Sequence, residues 1–80
     1  MNRQESKTNV ANPHYDLVSV LYHALEGAQT CDTYVQDAEQ ENDRELAQFF
    51  REVKQEDTKR ADKAKELLGM RVTREQKKMQ

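Results

Sequence analysis

Apolar positions recur along this chain in a four-three alternation that begins near residue 17 and restarts near residue 46. Leu17, Leu21, Ala24, Ala28, Cys31, Val35 and Ala38 make the first series. Leu46, Phe50, Val53, Asp57, Arg60, Ala64 and Leu67 repeat the spacing, with two opposite charges where apolar side chains are expected. A sustained repeat of about 3.5 residues predicts long helices packed along one face. Val18, Tyr22, Leu25, Phe49, Ala61 and Leu68 stand beside these series. They widen each stripe to roughly three or four apolar positions per two turns, the width of a helix that touches more than one neighbour.

The residues between the stripes set the element bounds. Asn12 is a good N-cap, Pro13 is preset for the first helical position, and Asp16 places an anion in the first turn. A first helix is predicted over 13–41. Asn42 followed by Glu45 fits a capping box, so a second helix is predicted over 43–68, with Gly69 as the residue that ends it. The connection Glu41-Asn42-Asp43 is too short for anything but an antiparallel turn. Residues 1–12 are polar and aperiodic and read as a disordered N-terminal tail; residues 70–80 read as a basic C-terminal tail. The fold class is all-α: an antiparallel two-helix hairpin over 13–69.

Composition changes the picture in one respect. A single domain of 80 residues with one cysteine, Cys31, has no internal disulfide to staple it. Two histidines, His14 and His23, do not make a zinc cluster with it. The remaining staple is oligomerisation, and two hairpins related by a twofold axis close the wide stripes into a four-helix bundle. A homodimer is therefore expected. No run approaches the ~20 apolar residues of a membrane span, and no signal-peptide-like apolar segment opens the sequence. These features predict a soluble, cytoplasmic protein.

Charge is segregated. Residues 1–12 carry a net +1, residues 13–69 a net −6, and residues 70–80 a net +3. No Lys or Arg falls between Lys7 and Arg44, so the first helix is an acidic rod and the second supplies the cations that face it. The pattern favours antiparallel packing of the two and disfavours nucleic acid as a partner, because the folded part repels phosphate. The basic tail reads first as solvated; the alternative is an accessory role at a membrane surface or nucleic acid through residues 71–78.

A charge on a buried helix stripe costs several kcal/mol unless it is paired. Asp57 and Arg60 are three residues apart, so each chain neutralises its own pair, and a flat guanidinium suits a carboxylate. The pair is expected to sit at the centre of the bundle and to fix the register of a dimer.

Residues 15–68 resemble the ferritin-like superfamily, especially its short one-hairpin, rubrerythrin-like and encapsulated-ferritin-like members. The likeness lies in the first-helix texture LYHALEGAQTCDTYVQDAE, the acidic break before ELAQFFREV, and the run EDTKRADKAKELL. The resemblance implies a hairpin that dimerises into a four-helix bundle. In such proteins Glu and Glu-x-x-His residues project inward onto two metal ions. Here the matching positions read Asp57-Thr58-Lys59-Arg60, and neither histidine has a carboxylate three residues before it. The seam of the first helix offers Ala24, Ala28 and Cys31 at that depth rather than a glutamate. A lost metal site is expected, with no catalytic, cofactor or metal residue, no bound cofactor, and a structural or protein-interaction role. The rival is an atypical di-iron oxidase or storage protein drawing on Glu26, Asp32, Glu56 and Asp57, with His23 in support.

The remaining candidates are modest. Cys31 on the seam reads as a small buried side chain rather than a nucleophile. His23 reads as a flank residue, and Tyr15, Tyr22 and Tyr34 as packing aromatics. The Tyr34 hydroxyl is placed to reach the polar centre.

Overall fold

The computed structural model describes residues 12–78, with side chains described through Arg74. Helix α1 spans Pro13–Gln40 and helix α2 spans Arg44–Lys78. They pack against each other as an antiparallel hairpin measuring 57 × 29 × 13 Å between Cα atoms, a slab one helix thick.

Local chemistry accounts for each boundary. Asn12 Oδ1 accepts from the Tyr15 amide at 3.0 Å, and Pro13 occupies the first turn. At the other end of α1 the chain closes a Schellman motif. The Asn42 amide donates to the Glu39 carbonyl at 2.9 Å, and the Asp43 amide donates to the Ala38 carbonyl at 2.9 Å. Asn42 takes the left-handed conformation this requires, with φ 61°. The N-cap of α2 is then Asp43, whose Oδ1 accepts from the Leu46 amide at 3.1 Å. The capping box expected from Asn42 and Glu45 is not formed, because Asn42 is used one step earlier to stop α1. Glu41, Asn42 and Asp43 thus end one helix and start the next.

Helix α2 does not end at Gly69. It runs on to Lys78, and Gly69 keeps a helical backbone, since no glycine among the described residues has positive φ. Arg71 explains the continuation in part. It is half-buried, and its Nη1 donates to the Leu67 carbonyl at 3.2 Å, a bond that spans Gly69 within α2. Such a bond offsets part of the roughly 1 kcal/mol that a glycine costs a helix. The tail expected over residues 70–80 is therefore helical as far as Lys78, whereas the disorder expected over residues 1–12 lies, Asn12 apart, outside the described residues.

The interface between the helices is built from small side chains. Ala24, Ala28, Cys31 and Ala38 of α1 and Ala47, Ala61 and Ala64 of α2 are the buried apolar residues. The first series read from the sequence faces α2 as expected. The second is rotated by about 50° from its expected stripe, at about 100° per residue. Ala47 and Ala61 are each 1% exposed, whereas Leu46 is 40% exposed and the Arg60 side chain 55%. The rotation opposes alanines to alanines and brings Arg51 and Lys54 to the acidic flank of α1. There Lys54 Nζ meets Asp32 at 2.7 Å, and Arg51 pairs with Glu39. These exposed pairs contribute a few tenths of a kcal/mol each, enough to bias the rotation of a helix but not to hold the fold.

Candidate functional site

The hairpin has two broad faces, and its chemistry divides between them. One carries the Asp32–Lys54 and Glu39–Arg51 pairs in its loop-proximal half. The other carries Leu46, Phe49, Val53 and Leu67 of α2 beside Val20 and Tyr34 of α1. At its loop end Tyr34 packs on Phe50 with ring centroids 5.4 Å apart, and Phe49 on Phe50 at 5.8 Å. Tyr34, Ala38, Leu46 and Phe50 line a shallow groove there of about 470 Å³, rimmed by Asp37, Glu41 and Asp43.

Asp57 and Arg60 lie midway along this second face. The Asp57 side chain is 19% exposed and leans across the interface toward α1. Gly27 receives it: a side-chain carbon at that position would stand 2.7 Å from Asp57 Oδ2. Arg60 Nη1 donates to Asp57 Oδ1 at 2.7 Å from the outer side. The expected pair is formed, but it is not buried as a unit. Asp57 belongs to the inter-helix seam, and Arg60 rises onto the open face. The separation follows from the rotation of α2 described above.

Cys31 lies on the seam near Asp57 and is 3% exposed. Burial pushes its thiol above the ordinary value of 9.0, the negative charges of Asp57 and Asp32 push the same way, and Lys54 opposes them. A thiol held protonated is a poor nucleophile, which agrees with its reading as a packing residue.

The side chains invoked for a metal centre are not gathered. Among the described residues no three His, Cys, Asp or Glu side chains converge. His23 Nδ1 lies 4.0 Å from Glu26 with both side chains exposed, Asp32 is engaged by Lys54, and Asp57 by Arg60. Arg60 beside Asp57 has no lone pair to offer a metal and adds positive charge there. The residues present do not fit that group. Tyr34 packs its ring on Phe50, two helical turns along α1 from Gly27 and the Asp57 carboxylate.

Two features escaped the sequence reading: the notch at Gly27, and which edge of the second stripe is left open, with Leu46 and Phe49 outward and Ala47 inward. The first had a weak signal, since Gly27 stands beside the stripe inside a helix, where a glycine costs about 1 kcal/mol against alanine and so asks for a packing reason. The second had none, because a stripe four positions wide does not say which of its edges meets the neighbour.

No protein-family model, curated protein or solved structure matches the chain. No helix among the described residues is long and apolar enough to cross a membrane.

Proposed function

We propose that this hairpin is a non-catalytic association module: a homodimer whose open apolar face is covered by a second copy, closing a four-helix bundle. It would be a ferritin-like relative that has lost its metal site, with a structural or protein-docking role. The observation that carries the reading is the size of what one chain buries. Among the described residues every buried apolar residue is an alanine or Cys31, while Leu46, Phe49, Tyr34 and Val20 stay 40–55% exposed. Alanine contacts contribute little, about 0.8 kcal/mol per buried carbon, and small domains commonly need a partner to complete their core.

The choice of face follows from composition. Leu46, Phe49, Val53, Leu67 and Met70 run along α2 on one side, whereas the opposite side of α2 presents Arg51, Lys54, Thr58, Asp62 and Lys65. Val18, Tyr22 and Leu25 make an apolar patch on that opposite side, confined to one end of α1. A slab face of 57 × 29 Å is ample for the ~800 Å² per partner of a standard interface.

Sedimentation equilibrium tests the proposal. The expected result is a species of twice 9.4 kDa at micromolar concentration, with a melting temperature that rises with concentration. A folded monomer whose melting is independent of concentration overturns it.

A further inference from the structure

The open face of α2 has a symmetry of its own, and it specifies how a second copy would lie. Leu46, Val53, Arg60, Leu67 and Arg74 recur every seven residues along it, and Phe49, Glu56, Lys63 and Met70 form a parallel series three residues on. Reversing the helix about Arg60 sets Val53 against Leu67 and Leu46 against Arg74, and brings Phe49 within one residue of Met70 and Glu56 within one residue of Lys63. Apolar meets apolar at Val53–Leu67 and Phe49–Met70 and acid meets base at Glu56–Lys63, each twice by symmetry, while Leu46 meets the aliphatic stem of Arg74. We infer that two copies dock antiparallel, α2 on α2, about a twofold axis at Arg60, with their loops at opposite ends of the bundle. This inference rests on the dimer proposed above and adds its orientation.

Two further observations favour this arrangement. The loop end is acidic, with Asp37, Glu41 and Asp43 around the Tyr34–Leu46–Phe50 groove. The far end of the same face carries Lys63, Met70 and Arg74, of which Lys63 also reaches Glu66 at 3.8 Å within its own helix. An antiparallel partner brings the basic end of each chain onto the acidic loop end of the other. The alternative twofold, with both loops at one end, sets the two acidic rims side by side, whereas the antiparallel one separates them and lays α1 on α1 along its Val20–Tyr34 flank. At the axis, two Arg60 side chains meet while each is held by its own Asp57 at 2.7 Å, so the centre is four charges of zero sum. Gly27 makes this possible, since it lets Asp57 sit low enough to leave Arg60 at the surface.

Disulfide trapping and charge exchange test the orientation on the full chain in a Cys31→Ser background. Facing Cα atoms of helices whose axes are about 8–10 Å apart come within disulfide reach. Arg60→Cys is expected to give a linked dimer on mild oxidation. Phe49→Cys alone is expected to give none, and Phe49→Cys with Met70→Cys is expected to give one. Glu56→Lys and Lys63→Glu should each weaken dimerisation about tenfold, as symmetry doubles every lost pair, and the double exchange should restore it. A wild-type dimer with no Arg60→Cys linkage and no restoration by the double exchange overturns the orientation and leaves the dimer standing. A wild-type monomer overturns the dimer and the orientation together.

Discussion

The Asp57 carboxylate occupies the space that a side chain at Gly27 would fill: a Cβ there would approach Oδ2 to 2.7 Å, well inside van der Waals contact. One residue type on α1 and one on α2 are therefore mutually required. Gly27 costs α1 about 1 kcal/mol of helix propensity. What it allows in return is a carboxylate seated against α1 and satisfied from the outer side by Arg60.

That interdependence is measurable as a coupling. In the wild-type chain, Gly27→Ala gains propensity but displaces the carboxylate, so the net change is expected to be near zero or destabilising. In an Asp57→Ala background the obstruction is gone, and the same substitution should stabilise by about 0.5–1 kcal/mol. Urea denaturation of the four variants at one protein concentration gives the coupling directly. Equal effects of Gly27→Ala in both backgrounds would show that the two residues do not touch.

Gly69 provides the contrast within the same molecule. It too lies inside a helix, but a Cβ there meets nothing within 4 Å. Gly69→Ala should therefore return most of the propensity difference, about 0.5–1 kcal/mol, with no compensating loss. A rise in urea midpoint with unchanged slope is the expected outcome. A destabilised variant would mean that the backbone at 69 has left the helix, as a helix-ending glycine does.

The turn divides its work between two residues with different requirements. Asn42 must hold φ 61°, which a β-branched side chain resists, so Asn42→Val is expected to cost about 1–2 kcal/mol and Asn42→Gly nothing. Asp43 acts through its side chain, and Asp43→Ala should cost about 1 kcal/mol as a lost N-cap. If Asn42→Ala and Asp43→Ala exchanged these roles, with Asn42 acting through its side chain, the capping box read from the sequence would be the correct description.

The pH dependence of stability carries the signature of Cys31. Its thiol is raised above 9.0 in the folded chain, chiefly by burial, so folding favours the protonated form. The resulting stabilisation is complete below the unfolded value and is lost as pH rises through 9 toward the folded value. Denaturation midpoints should fall over that alkaline range, and the fall should be smaller in Cys31→Ser. At neutral pH the native thiol should react with a soluble disulfide reagent far more slowly than the urea-unfolded chain. Equal rates in the two states would place Cys31 at the surface.

Much of this architecture was legible before any coordinates. The four-three spacing of Leu17 to Ala38 named the buried face of α1, and Glu41-Asn42-Asp43 named the connection. The segregation of acid onto α1 anticipated the Asp32–Lys54 and Glu39–Arg51 pairs. The second helix was harder for a physical reason. Its stripe is wide, and either Leu46–Val53–Arg60–Leu67 or Ala47–Asp57–Ala61–Leu68 could face α1. Hydrophobicity favours the first set; close approach of small side chains and the two cross-helix ion pairs select the second. Gly69 misled for a different reason, since a helix-ending glycine and a tolerated one differ only in φ.

That selection leaves the more hydrophobic edge of α2 uncovered, and the two faces of the hairpin should respond differently when charged. Phe49 is 55% exposed in the single hairpin and Leu25 49%, so Phe49→Asp and Leu25→Asp remove similar apolar area from one chain. A second copy on the Leu46–Leu67 face would bury Phe49, and an aspartate there would be desolvated in the dimer at a cost of several kcal/mol. Phe49→Asp should therefore shift the sedimentation profile from dimer to monomer, with a large loss of thermal stability at equal concentration. Leu25→Asp should remain dimeric with nearly wild-type melting, because its face stays in water in both states. The reverse outcome would move the interface to the Val18–Tyr22–Leu25 patch at the start of α1, where the ion pairs of Asp32 and Glu39 would then border it.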